Sequence, residues 1–118
     1  VTKPANTYTL SIFNRAEAAR IKAQAKFPQP NFVALKVAEE AGEVVRAAVH
    51  YAENRLSWDE LEGEVIQTIA MCLRLLVEGD QVNGIIPPAK FDADLAESEL
   101  VEAIDALGPV DDIGGGGK

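Results

Sequence analysis

One cysteine, one histidine, one tryptophan and an aromatic share of 6% leave this chain of 118 residues short of several chemistries. The single thiol, Cys72, excludes an internal disulfide, and within its apolar helical run it is expected as a small core residue. A lone histidine, His50, cannot supply the two Glu-x-x-His pairs of a di-iron carboxylate bundle. Cations are scarce too: 11 Lys and Arg stand against 19 Asp and Glu, a formal net charge of −8. Binding to a phosphate backbone needs the opposite balance, which argues against nucleic acid as a partner. No run approaches the ~20 apolar residues that span a bilayer, so no membrane association is expected. Val1-Thr-Lys-Pro-Ala lacks the basic-then-apolar pattern of a secretory leader, and a cytoplasmic location is expected.

What is plentiful is Ala, Leu and Val, within a hydrophobic share of 47%. That mixture favours packed helices over a β-sandwich, and the expected fold class is an all-α helical bundle. A first helix is predicted from Thr9 or Ser11 to about Lys26, with Leu10, Ile12, Phe13, Ala16, Ala19 and Ile21 inward. Phe27-Pro-Gln-Pro30 breaks it, since proline removes a donor and restricts the residue before it. Asn31 is a candidate cap for a second helix over Phe32 to Asn54. Its expected core stripe is Phe32, Leu35, Val37, Ala38, Ala41, Val44, Val45 and Ala48. Ser57 followed by Glu60 reads as a capping box that starts a third helix from Trp58 to Glu78, stopped by Gly79. The short connection makes helices two and three antiparallel neighbours. Gln81 to Lys90 reads as a loop and Asp94 to Leu107 as a fourth helix. The expected division is a helical domain over residues 1–94 and a C-terminal helix or extension over 95–118, ending in a flexible Gly-rich tail.

Charge inside the apolar helices carries the functional signal. Glu40 and Glu43 are three apart and share a face, with Glu39 beside them and Lys36 one turn earlier. On the third helix Glu60, Glu64, Gln67, Met71, Arg74 and Glu78 form one stripe. Asp59, Glu60 and Glu62 suit the first turn of a helix, where the dipole favours carboxylates. Glu64 lies a turn deeper, among apolar neighbours. Most Glu-rich helix faces are only solvated, and a like-charge pair on an exposed face costs about 0.2–0.5 kcal/mol. Carboxylates gathered from two helices instead suit a hard cation, Mg²⁺ or Mn²⁺, bridging to substrate phosphates.

Lys36-Val-Ala-Glu-Glu-Ala-Gly-Glu-Val-Val-Arg-Ala-Ala48 resembles the first signature of the all-α nucleoside triphosphate pyrophosphohydrolases, which include MazG-type enzymes, dimeric dUTPases and phosphoribosyl-ATP pyrophosphohydrolases. The resemblance spans roughly residues 8 to 80. It implies a MazG-like bundle, and because three or four helices cannot cover all the apolar surface of helix three, completion by oligomerisation as a homodimer or tetramer is expected. It further implies Mg²⁺ (or Mn²⁺) as cofactor, and hydrolysis of a nucleoside triphosphate to a monophosphate and pyrophosphate. In that family one helix carries E-x-x-E and the next E-x-x-D. Glu40-x-x-Glu43 matches the first. The second departs from the pattern. Glu64-Val-Ile-Gln67 has glutamine for aspartate, whereas Leu61-Glu-Gly-Glu64 has leucine for the first acid; the former fits the distance to Gly79 better. The resemblance thus implies Glu40, Glu43, Glu64 and Gln67 as metal ligands, with Glu60 a possible substitute, and Glu39 as the catalytic base. Lys36 and Arg74 are the phosphate candidates, and Trp58 and Phe32 either border a base pocket or belong to the core. The alternatives are a non-catalytic helical interaction module that has lost part of the metal site, or a phosphoribosyl-ATP pyrophosphohydrolase.

Overall fold

The computed structural model describes residues 7–88 together with 102, 105 and 106. Three helices are defined: α1 over Thr7–Lys26, α2 over Val33–Ala52 and α3 over Trp58–Val77. Among the described residues there is no strand, only an isolated bridge between Asp80 and Ile85. The chain divides into two compact units, Val1–Pro87 and Pro88–Lys118, and everything below concerns the first. The expected fourth helix over Asp94 to Leu107 lies outside the described residues, except that Glu102, Asp105 and Ala106 are helical.

α3 is the central element. It packs against both α1 and α2, whereas no Cα of α1 comes within 8 Å of one in α2. The buried apolar side chains are few and mostly small: Ala16 of α1, Val33 and Ala47 of α2, and Ile66, Ala70 and Met71 of α3. This differs from the expected core. Only Ala16 of the α1 stripe is buried, and Leu10, Phe13 and Ile21 are exposed. On α2 the buried residues are Val33 and Ala47, neither of them in the expected stripe, while Phe32, Leu35 and Val45 face outward. Cys72 is exposed, not a core residue. Periodicity locates an apolar face, and with three thin helices that face is wider than the area available to cover it.

The helix ends explain how the elements are fixed. Ser57 and Glu60 form the expected capping box: the Glu60 N–H donates to Ser57 Oγ at 3.1 Å and the Ser57 N–H donates to Glu60 Oε1 at 3.0 Å. α2 is started differently from the expectation. Asn31 does not cap it; its side-chain amide turns back to the Phe27 carbonyl at 3.5 Å, and Phe32 at the cap position supplies no side-chain bond. Asp80 does this work from beyond α3, its Oδ2 accepting the Ala34 N–H at 2.9 Å. Asp80 is itself held by Asn83, whose N–H reaches Oδ1 at 3.1 Å and whose amide reaches Oδ2 at 2.8 Å. Burial pushes the Asp80 carboxyl up, and these hydrogen bonds outweigh it, holding the group below its usual range.

Gly79 makes the turn into that loop possible. Its φ is +80°, and a Cβ there would lie 2.2 Å from the Ile85 carbonyl oxygen. Gln29 closes the same corner, donating to the Gly79 carbonyl at 3.2 Å and accepting the Gln81 N–H at 3.0 Å. Beneath it lies a buried ionic cluster. Arg74 is fully enclosed, donating to Glu78 at 2.7 Å and to the Phe27 carbonyl. Arg20 holds Glu17 at 2.7 Å, and one of its nitrogens lies 3.7 Å from Glu78. The end of α1, the start of α2 and the end of α3 are thereby tied at one corner.

Candidate functional site

The α2–α3 seam brings acids from both helices together. Glu43 and Glu64 line one cavity of about 210 Å³, with Arg46, Ala47, His50 and Leu56. Glu40, one turn before Glu43, is half-buried beside it. Burial raises the Glu40 pKa above the ordinary carboxylate value, and the negative charges of Glu64, Glu39 and Glu43 raise it further; Lys36 opposes them. Glu64 thus acts on Glu40 from the opposite helix more strongly than its sequence neighbours do. Glu39 is exposed at the edge of this face.

Not every expected residue belongs to this cavity. Gln67 lines a separate groove of about 170 Å³ with Ala19, Lys22, Ala23, Lys26 and Phe27. Arg74, expected as a phosphate contact, is sealed in the ionic cluster and withdrawn from any ligand. The Glu60 carboxylate is taken up by the capping box. Trp58 is half exposed rather than core, and donates to the Tyr8 hydroxyl at 3.1 Å. Phe32 is likewise exposed. Lys36 lies near the acids and has its Nζ 5.1 Å from the Phe27 ring centroid. Among the described residues, no three His, Cys, Asp or Glu side chains already converge into a metal-ligand group.

No family model, no curated protein and no solved structure matches the chain.

Two cavity residues, Arg46 and His50, fall outside the expected set. Both were accessible as spacing: they follow Glu43 by three and seven residues on one helical stripe. Arg46 approaches Glu43 at 4.0 Å, a loose contact at an exposed position that offsets little of the local negative charge. The cavity sets the carboxylates of Glu43 and Glu64 beside the Arg46 guanidinium and the His50 imidazole, with Ala47 and Leu56 completing its wall.

Proposed function

We propose that this chain is a metal-dependent nucleoside triphosphate pyrophosphohydrolase, converting a (d)NTP and water to a (d)NMP and pyrophosphate. In this reading the helices form a MazG-like antiparallel bundle completed by further copies of the chain. One observation supports it: Glu43 of α2 and Glu64 of α3 line the same cavity, and the Glu64 charge also bears on Glu40.

The cofactor of this reading is Mg²⁺ or Mn²⁺, which carboxylate oxygens suit. Glu40, Glu43 and Glu64 offer only carboxylate oxygens, and their mutual repulsion is balanced by Lys36 alone among the charges acting on Glu40. When bound, such an ion polarises phosphoryl oxygens and lowers the pKa of a water. Glu40, Glu43 and Glu64 would hold it. Glu39, exposed at the rim, accepts the proton of the attacking water, and Lys36 meets phosphate oxygens. Gln67 is left out of the ligand set because it lines the other groove.

The test is pyrophosphate release from a panel of NTPs, dNTPs and phosphoribosyl-ATP, with Mg²⁺ or Mn²⁺. Metal-dependent release is expected, falling by roughly 10²-fold or more in Glu40→Gln, as loss of a charge-bearing group at a reaction centre does. Release that Glu40→Gln leaves intact would sink the assignment. The second reading, a non-catalytic helical interaction module, draws on the absence of three converged ligands among the described residues. A folded protein that cleaves no member of the panel and binds no Mg²⁺ favours it.

A further inference from the structure

The seam between α1 and α3 carries the opposite charge to the chain as a whole. Two cavities lie along it, of about 470 Å³ and 170 Å³, and they share Ala19, Lys22 and Gln67, so they run together as one groove. Its charged residues are Arg15, Lys22 and Lys26, and no acid lines it among the described residues. That is the reverse of a chain with 19 Asp and Glu against 11 Lys and Arg. Arg15 is paired with Glu62 at 2.7 Å, whereas Lys22 and Lys26 have no carboxylate within 4.0 Å among the described residues. The floor is small and apolar. Ala19 and Ala23 are half-buried in it, and Phe27 closes one end with 45% of its surface exposed.

The spacing of these groups selects the occupant. Arg15, Ala19, Lys22 and Lys26 stand at i, i+4, i+7 and i+11, so they form one stripe along α1. From Arg15 to Lys26 the helix rises about 17 Å, or roughly three turns. Lys22 and Lys26 are one turn apart, and so are Ala19 and Ala23. A second helix laid along the groove repeats at the same interval. Its apolar stripe covers the two alanines and Phe27, where small side chains let the two axes approach closely. Its acids, one turn apart, meet the two ammonium groups at the rim. We infer that the groove docks an acidic, amphipathic helix of a partner protein. The lysines choose an acidic partner over a neutral one and steer its approach, because charge complementarity sets specificity and on-rate more than affinity. The alanines and Phe27 supply the apolar contact that holds it. A nucleic acid is a poor occupant, since these few cations in a chain of net charge −8 neutralise too little phosphate. The groove shares no lining residue with the cavity of Glu43 and Glu64, so this docking is independent of the chemistry proposed there.

The test is fluorescence anisotropy of a labelled synthetic peptide of about 14 residues, ~21 Å long as a helix, with leucine on one face and glutamate flanking it. The full chain is expected to bind it, more weakly as salt is raised, and not to bind the same peptide with lysine in place of glutamate. Lys22→Glu/Lys26→Glu is expected to weaken binding roughly fivefold or more, and Lys22→Arg/Lys26→Arg to keep it. Ala19→Leu fills the floor and is expected to weaken binding roughly tenfold with an unchanged circular dichroism spectrum. Arg55→Gln, which removes a positive charge outside the groove, leaves binding unaltered. Failure of the wild type to bind overturns the docking site, as does binding that survives both the charge reversal and Ala19→Leu. Two other results overturn it by replacing the occupant. One is uptake of the chain by phosphatidylserine vesicles where the peptide does not bind. The other is a lysine-dependent change in sedimentation, which assigns the groove to a second copy. The titration contains no nucleotide, so its result is separate from that of the pyrophosphate-release assay.

Discussion

Glu40 bears an electrostatic cost before any ligand arrives, because burial and then Glu64, Glu39 and Glu43 all disfavour its ionised form. A carboxyl whose folded pKa lies above its unfolded value destabilises the fold once pH exceeds the unfolded value, here near 4.5, and the full penalty is present above the folded one. Glu40→Gln is therefore expected to raise the apo melting temperature at pH 7 by about 1–3 °C, a gain that vanishes below pH 4. Saturating Mg²⁺ is expected to raise the wild-type midpoint and not that of the variant; calorimetric scans across pH and metal check both. At this scale the sequence was informative where spacing alone decides. Glu40 and Glu43 share a face by their separation, and Glu64 stood out as an acid too deep in its helix for a first-turn role. Gln67 was not legible. Three residues fall about 60° short of a full turn, which is enough to carry it from the α2 seam into the α1 groove. Arg74 lay on the same stripe and became a buried ion-pair partner through contacts with Phe27 and Glu78 that no local pattern displays.

The helices themselves were readable to within two residues at most ends, since proline, glycine and the Ser57–Glu60 box act locally. The start of α2 was readable too, to within one residue, but its cap was not, because the capping side chain comes from 46 residues further along the chain. That long-range cap makes Asp80 a tie between the end of α3 and the helix bearing the acids. Asp80→Ala is expected to lower the midpoint by about 5–10 °C and to speed amide exchange selectively at Ala34 and its neighbours. The Asp80 carboxyl is held below its ordinary value, so its stabilisation is present above the unfolded value of 3.8 and is lost as pH falls through the folded one. Between pH 4.5 and 2 the stability of Asp80→Asn is accordingly expected to change less steeply than that of the wild type in urea titrations. Gly79→Ala attacks the same corner sterically. A positive φ and a Cβ driven against the Ile85 carbonyl are expected to cost about 2 kcal/mol or more, measured by the same titrations.

Taken as a whole, a single copy of this helical unit is under-covered. Leu35, Val45 and Val49 on α2 and Leu76 and Val77 on α3 are each at least half exposed, as is Ile86 beyond them, while six apolar side chains are buried among the described residues. Leu76, at 75% exposure, is left in water at a position where α3 is otherwise apolar. Burying a leucine is worth about 1.5–3 kcal/mol, so several such residues on adjacent helices constitute a strong drive to associate. Cys72 precedes Leu76 by one turn and is exposed as well, which places a small side chain where another helix can approach closely. In the proposed reading, further copies of the chain cover these residues and border the acidic cavity on the α2–α3 seam. Sedimentation equilibrium is expected to give a dimer or tetramer. Leu76→Asp is expected to shift it toward monomer, because an ionised carboxylate cannot be buried without a partner. A monomeric wild type at micromolar concentration would overturn this reading, and would leave the exposed leucines and valines for a partner of different sequence. If instead Leu76→Asp lowers both the assembly state and NTP turnover while Mg²⁺ binding survives, the neighbouring copy contributes to substrate binding rather than to the metal ligands.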